Sequence, residues 1–315
     1  MNMKKSVFPV MITPYKNGNV DFENVRNIAN WYIDNGCDGI FAVCQSSEML
    51  CLTLDEKVNI AKEVVKAARG RIMVVASGHT SDDLYDQAEE INAMAKTGVD
   101  AAILSTNRLD LNNEGDDVWI NNLKKLLELV DKDIKLGLYE CPVPYKKLLT
   151  KKMLDYVIST GRFKFIKDTC CKPEIIKDRI KQLEGTGIEL YNANGQTLYQ
   201  SLIDGAKGYA GVIANFCPNL IVKLCNNFEK KEYEELSDMV SLLSFTENDF
   251  YPITAKYSLQ LIGFDITLET RTKDVSKFDE YQMNFVRQMK RVIEELNKKW
   301  KWKSIWYSIL MSLMK

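Results

Sequence analysis

The chain of 315 residues contains a single histidine, His79. That scarcity argues against histidine-rich metal centres and against metal-dependent aldol chemistry. No apolar run reaches the roughly eighteen residues a transmembrane helix requires, so no membrane span is expected. Neither sign of charge dominates: the formal net charge is −1, which leaves no global field to attract nucleic acid. The eight cysteines, at positions 37, 44, 51, 141, 170, 171, 217 and 225, lack the compact spacing of a disulfide framework. The start, Met1 to Lys5, leads into a short apolar run broken by Pro9 and Pro14 and does not read as a secretion signal. Reduced thiols in a cytoplasmic protein are therefore expected. No Gly-x-Gly-x-x-Gly follows the first β-rich run, which counts against dinucleotide binding.

What is present is a regular alternation. Hydrophobic residues make up 46% and charged residues 27%, as in a soluble globular protein. Short β-rich runs recur at 7–13, 39–44, 72–77, 101–105, 135–139, 163–167, 189–192 and 209–213, separated by helical patterns. Thr53-Leu54-Asp55-Glu56 reads as a capping box that opens one of those helices. Eight βα units with short connections predict a parallel sheet, and at this length a closed (β/α)8 TIM barrel fits better than an open one. The expected division is a barrel over 1–220 and a C-terminal helical region over 221–315.

In such barrels the chemistry sits at the C-terminal strand ends. Those ends are polar here. They carry Thr13, Cys44 to Glu48, Ser77 to His79, Ser105 to Arg108, Tyr139-Glu140, Lys167-Asp168, Asn192 to Gly195, and Ile213 to Asn215. Lys167 closes the apolar run Phe163-Lys164-Phe165-Ile166-Lys167. Strand alternation puts Phe163, Phe165 and Lys167 on one face. Both faces of a parallel sheet are buried. Burial of an amine favours its neutral form, which is a nucleophile for carbonyl carbon.

At these residues the chain resembles the N-acetylneuraminate lyase / dihydrodipicolinate synthase family of class I, Schiff-base aldolases. Phe165-Ile166-Lys167-Asp168-Thr169 is similar to the segment holding its Schiff-base lysine. Tyr139 in Leu-Tyr-Glu-Cys-Pro is similar to the tyrosine of its Tyr-Asn-x-Pro motif. Cys44 to Glu48 stands in place of its Gly-(Thr/Ser)-Thr-Gly-Glu loop, and Gly208 to Asn215 resembles its eighth strand.

The resemblance implies a lyase acting on pyruvate or another 2-keto acid, together with an aldehyde. No metal and no cofactor are needed, and a homo-oligomer is implied. Lys167 would form the imine and Tyr139 would move the proton; Ser46 and Ser47 would hold the carboxylate, with Ala210 against the substrate. Two departures stand against synthase activity itself. Thr106-Asn107-Arg108-Leu109 has no phenol where the family's synthases have a Tyr-Tyr pair, and Val143 to Lys146 has no arginine. Arg108 at that place suggests a clamp for an anionic second substrate. A dehydratase on the same fold and a non-catalytic binder of small anions remain alternatives. The tail from Leu296 to Met314, with Trp300, Trp302 and Trp306 among lysines, is expected to dock as a terminal helix.

Overall fold

A computed structural model describes residues 4–245 and 250–313, with side chains as far as residue 300. Eight parallel strands form one sheet: β1 (Ser6–Val7), β2 (Gly39–Phe41), β3 (Met73–Ser77), β4 (Ala101–Ser105), β5 (Leu136–Tyr139), β6 (Phe163–Asp168), β7 (Glu189–Asn192) and β8 (Gly208–Tyr209). Neighbours pair in chain order from β2 to β8, and β8 pairs with β1. Met11 N donates to Phe41 O at 3.0 Å and Phe41 N to Pro9 O at 2.9 Å, which closes β1 against β2. The fold is a (β/α)8 barrel.

The intervening helices are α1 (Phe22–Asp34), α2 (Leu54–Ala68), α3 (Leu84–Ala95), α4 (Asp116–Leu129), α5 (Lys151–Thr160), α6 (Pro173–Leu183), α7 (Gly195–Asp204) and α8 (Pro218–Asn227). Beyond them lie α9 (Glu234–Leu243), α10 (Ile253–Leu261) and α11 (Glu280–Leu313). The capping box before α2 forms as read: Glu56 N donates to Thr53 Oγ1 at 3.2 Å and Thr53 N to Glu56 Oε2 at 2.9 Å. Trp300 packs on Tyr233 with ring centroids 4.4 Å apart, so α11 docks on this chain at that point. The side chains of Trp302 and Trp306 lie outside the described residues. Among the described residues no helix is long and apolar enough to cross a membrane.

Three local expectations are corrected. Phe163 does not share a face with Lys167. The β5–β6 register shifts between Leu136 and Gly137, so Leu136 meets Phe163 and Gly137 meets Phe165. The irregularity turns Phe163 outward, where it packs with Leu136 and Ile166 against α4, α5 and α6, while Phe165 faces the barrel interior. The eighth strand is shorter than 209–213, because Val212–Asn215 is a 3-10 turn. An apolar run alone does not separate strand from helix. The run 7–13 is likewise divided: Pro9 has no N–H to give a ladder, and only Val10 makes a further bridge, to Phe41.

Two buried polar assemblies tie the strand ends. In the first, the Arg179 guanidinium from α6 bonds to the Asp168 carboxylate, to Glu140 Oε1 at 2.7 Å and to Leu149 O at 2.5 Å. Burial and the nearby Asp168 charge push the Glu140 carboxyl up, and Arg179 opposes them. In the second, fully buried His79 accepts from Ser105 N through Nδ1 at 2.9 Å. Its proton is thereby assigned to Nε2, which donates to Gln87 Oε1 at 2.8 Å. Burial pushes the imidazole pKa down to about 4.

Two outcomes follow. Arg179→Met strands two buried carboxylates and should cost about 3–5 kcal/mol in urea denaturation at neutral pH. The deficit should shrink as falling pH protonates them, and an unmoved midpoint contradicts the triad. For His79, the unfolded chain binds the proton first. Stability should therefore rise with pH between about 4 and the ordinary histidine value near 6.5. As the only histidine, its ring nitrogens should report the neutral Nε2–H form by NMR down to about pH 4; a midpoint above 6 contradicts this.

Candidate active site

Lys167 is the next-to-last residue of β6, in register with Tyr139 of β5 and Tyr191 of β7. It is 4% exposed, and its Nζ stands 4.3 Å from the Tyr139 ring centroid and 5.5 Å from that of Phe41. Beneath it the barrel is filled by rings. Phe165 stacks on Tyr191 at 4.6 Å, and Phe8 meets both edge-on at 5.4 and 4.9 Å. Gly137 is required by this packing, since a Cβ there would lie 2.4 Å from Ile103 Cδ1 and 2.9 Å from Phe165 O. These rings form an aromatic floor within the barrel.

The Tyr139 phenol is buried and its pKa is pushed well above the usual value, mainly by burial and then by the nearby thiols of Cys141 and Cys44. It is a protonated donor at neutral pH. Cys141 is likewise pushed up by burial, with its Sγ 3.8 Å from Gln45 Oε1 and 3.4 Å from Val143 O. Glu140, adjacent in sequence, points away from the mouth into the Arg179 assembly.

The loop after β2 is a 3-10 turn, Gln45–Ser47. The buried Ser47 hydroxyl serves the loop itself: it lies 2.6 Å from Met11 O and 3.1 Å from Ala42 O, and accepts from Cys44 N at 3.1 Å. Thr13 Oγ1 donates to Ser47 O at 2.8 Å. Ser46 is 7% exposed, and its hydroxyl takes no part in these bonds. Glu48 follows with φ +60°, a left-handed conformation, and its buried carboxylate turns toward the late segment of the chain. It accepts from Thr270 Oγ1 and Arg271 N, both at 2.6 Å, and from Thr272 Oγ1 at 3.0 Å. Lys256 Nζ stands 3.5 Å away, and burial pushes its pKa down to about 8.

Arg108 lies in the 3-10 turn after β4. Its guanidinium donates to Asp82 Oδ1 at 2.7 Å and to Thr80 O at 3.2 Å, so the anion it clamps in this structure belongs to the protein. Ala210 is buried on the loop after β8, and its N–H donates to Asn192 O at 2.9 Å.

Sequence reading did not single out several residues that shape the mouth. Asn107 Nδ2 gathers the carbonyls of Cys141, Val143 and Tyr145 at 3.0, 2.8 and 2.7 Å and so holds the loop beside Tyr139. Tyr32 Oη donates to Asn215 Oδ1 at 2.5 Å, and Asn215 Nδ2 donates to the Tyr251 hydroxyl at 3.2 Å. The hairpin Tyr15–Lys16 with Asn19–Val20 was signalled by Asn17-Gly18, both at positive φ, a pairing suited to tight hairpins.

Residues 3–107 match the model of the dihydrodipicolinate synthetase family. The 4-hydroxy-tetrahydrodipicolinate synthase of Clostridium tetani is 25% identical over 301 residues, 91% of this chain and 97% of that protein. That of Methanococcus aeolicus is 24% identical over 265 residues, covering 82% and 89%. Among solved structures, dihydrodipicolinate synthase from Cyanidioschyzon merolae with lysine bound superimposes with a TM-score of 0.81 at 19% identity, covering 93% of this chain and 99% of that one. YagE, a prophage protein of Escherichia coli solved in complex with pyruvate, gives a TM-score of 0.80 at 16% identity, covering 93% and 98%. Over residues 3–107 the chain is thus similar in sequence to the dihydrodipicolinate synthetase family, and it shares the fold of the solved structures named above.

Proposed function

We propose that the chain is a 2-keto-acid-dependent class I lyase acting through an imine on Lys167. The observation that carries this reading is one buried lysine, facing the ring of a buried protonated tyrosine, at the C-terminal end of a barrel strand. The barrel, residues 1–220, carries the chemistry. The helical region, 221–315, braces its mouth through Glu48. A homo-oligomer is part of the proposal.

The Lys167 amine adds to the keto carbon of pyruvate, water leaves, and the imine draws electrons from the adjacent carbon. Tyr139 gives and takes back the proton as the carbon–carbon bond forms or breaks. The keto acid's carboxylate lies against the turn at Ser46 and Ser47. There the first N–H groups of the short helix and the Ser46 hydroxyl donate, and Ser47 fixes the turn. Ala210 presents its backbone from the opposite side. Arg108 stands at the rim, where an anionic second substrate reaches it only by displacing Asp82.

Pyruvate with borohydride should add one reduced-imine mass to the protein and none to Lys167→Ala; a persisting adduct contradicts the assignment. Tyr139→Phe keeps the ring and should lower turnover by roughly two to four orders of magnitude with little change in stability. Near-normal turnover would make Tyr139 a packing residue. With no phenol among Thr106 to Leu109 and no arginine among Val143 to Lys146, pyruvate and aspartate semialdehyde should condense about ten- to a hundredfold more slowly than in an authentic synthase. Equal rates contradict that part of the reading.

A further inference from the structure

Lys256 is a buried amine that the imine reading leaves unused. It lies on α10, is 0% exposed, and faces three other segments. Its Nζ stands 3.5 Å from Glu48 Oε1 in the turn after β2, bonds to Glu269 O in the late segment, and lies 4.7 Å from the centroid of the Tyr15 ring in the hairpin. The late segment and the hairpin are also laced to each other. The Glu269 carboxylate accepts from Asn17 N at 3.1 Å and Gly18 N at 2.8 Å, and Thr267 Oγ1 donates to Tyr15 O at 2.8 Å. The Arg271 guanidinium lies 4.8 Å from the Tyr15 ring centroid and donates to Glu56 Oε1 at 2.7 Å and Gly18 O at 3.1 Å.

The two oxygens of the Glu48 carboxylate have separate tasks. Oε2 accepts from Thr270 Oγ1, Arg271 N and Thr272 Oγ1, which are uncharged donors. Oε1 faces the Lys256 amine. A buried carboxylate is costly unless it is both hydrogen-bonded and paired with a cation. Arg271 gives Glu48 its backbone N–H, while its guanidinium goes to Glu56. Glu48 directly follows Ser46 and Ser47, and its left-handed backbone, φ +60°, is costly unless its surroundings hold it. Loosening the carboxylate lets Glu48 return to an ordinary backbone conformation, and that moves the turn before it.

We infer that Lys256 is a positioning residue for the keto-acid site: its ammonium holds the Glu48 carboxylate, and through it the turn at Ser46 and Ser47, in the form that receives the keto acid's carboxylate. The inference rests on the reading of that turn given above. Burial lowers the Lys256 pKa to about 8, against the Glu48 and Glu269 carboxylates, which favour the charged form. The Tyr15 phenol is pushed up by burial and stays uncharged over the same range, and Arg271 stays charged. The helix α11 meets α10 at other residues: Arg287 Nε donates to the Tyr257 hydroxyl at 2.9 Å and Lys290 Nζ to Leu261 O at 2.9 Å. The ammonium is therefore present at neutral pH and lost in mildly alkaline solution.

The test titrates pyruvate against the full-length chain and measures the borohydride-trapped adduct by intact mass, which gives a half-saturating concentration and a plateau. Lys256→Met should raise the half-saturating concentration by about tenfold, the smaller end of what a charge-assisted hydrogen bond contributes, and keep the plateau. A lowered plateau with unmoved half-saturation means a merely structural lysine and overturns the inference. Glu48→Gln with Lys256→Met buries no lone charge and serves if the single variant does not fold. It should show the same rise, and a wild-type value overturns the inference. Because the wild-type ammonium is lost near pH 8, the ratio of variant to wild-type values should fall from about tenfold at pH 7 toward one at about pH 9.5. A ratio constant over that range overturns the role of the charge. Ser46→Ala tests the turn itself, and an unmoved value there overturns the carboxylate reading. A raised value there with Lys256→Met unmoved overturns the Lys256 inference alone. Failure to trap any imine in the wild type is a different result and overturns the Lys167 reading.

Discussion

Arg179 joins two carboxylates, Glu140 and Asp168, that directly follow Tyr139 and Lys167 in the chain. The three groups lie behind the strand ends, fully or nearly fully buried. Breaking such an assembly by removing one member is far more costly than the pair is stabilising in itself. Its consequence is positional. With the residue after β5 and the last residue of β6 bound to one guanidinium, the two strands are held in register, and a slip of one residue would turn Lys167 out of the barrel. Glu140 N also donates to Lys167 O at 3.3 Å, so backbone and side chains fix the same register. The register that places the Lys167 amine beside the Tyr139 ring is thus held by residues behind the strand ends.

Glu48 performs the corresponding task for the loop on the other side of the mouth. Its left-handed backbone is costly for a residue with a side chain. The cost is offset by the bonds its carboxylate receives from Thr270, Arg271 and Thr272. The 3-10 turn of Ser46 and Ser47 is thereby attached to the region after α10. Lys256 is another deeply buried lysine near this end of the barrel. It faces the Glu48 carboxylate, the Glu269 carbonyl oxygen and, at 4.7 Å, the Tyr15 ring, while Lys167 faces the rings of Tyr139 and Phe41. The Glu48 carboxylate and the Glu269 carbonyl hold the Lys256 amine in place.

Much of this was legible in the chain because it depends on short-range pattern. The β-rich runs marked the strands, and Thr53 and Glu56 marked the start of α2. Lys167 was legible because Phe165 and Lys167 keep the alternation of a strand. Phe163 was misplaced because a register irregularity leaves no mark in the order of residues. The partners of Arg108 and Glu48 were hidden for a different reason. Asp82 lies 26 positions from Arg108, and Thr270 lies 222 from Glu48, so only the closed barrel brings them together. The commitment of the rim's charges, which bears on what the site accepts, is therefore a property of tertiary structure.

The central claim is that Lys167, and not Lys256, is the nucleophile. A crystal structure of the protein soaked in pyruvate tests it most directly. The account predicts continuous density from Lys167 Nζ to the keto carbon, with the carboxylate against the turn at Ser46 and the Tyr139 hydroxyl nearest the new imine. Density joining pyruvate to Lys256, or an unlinked molecule with Lys167 Nζ turned away from it, would contradict the account.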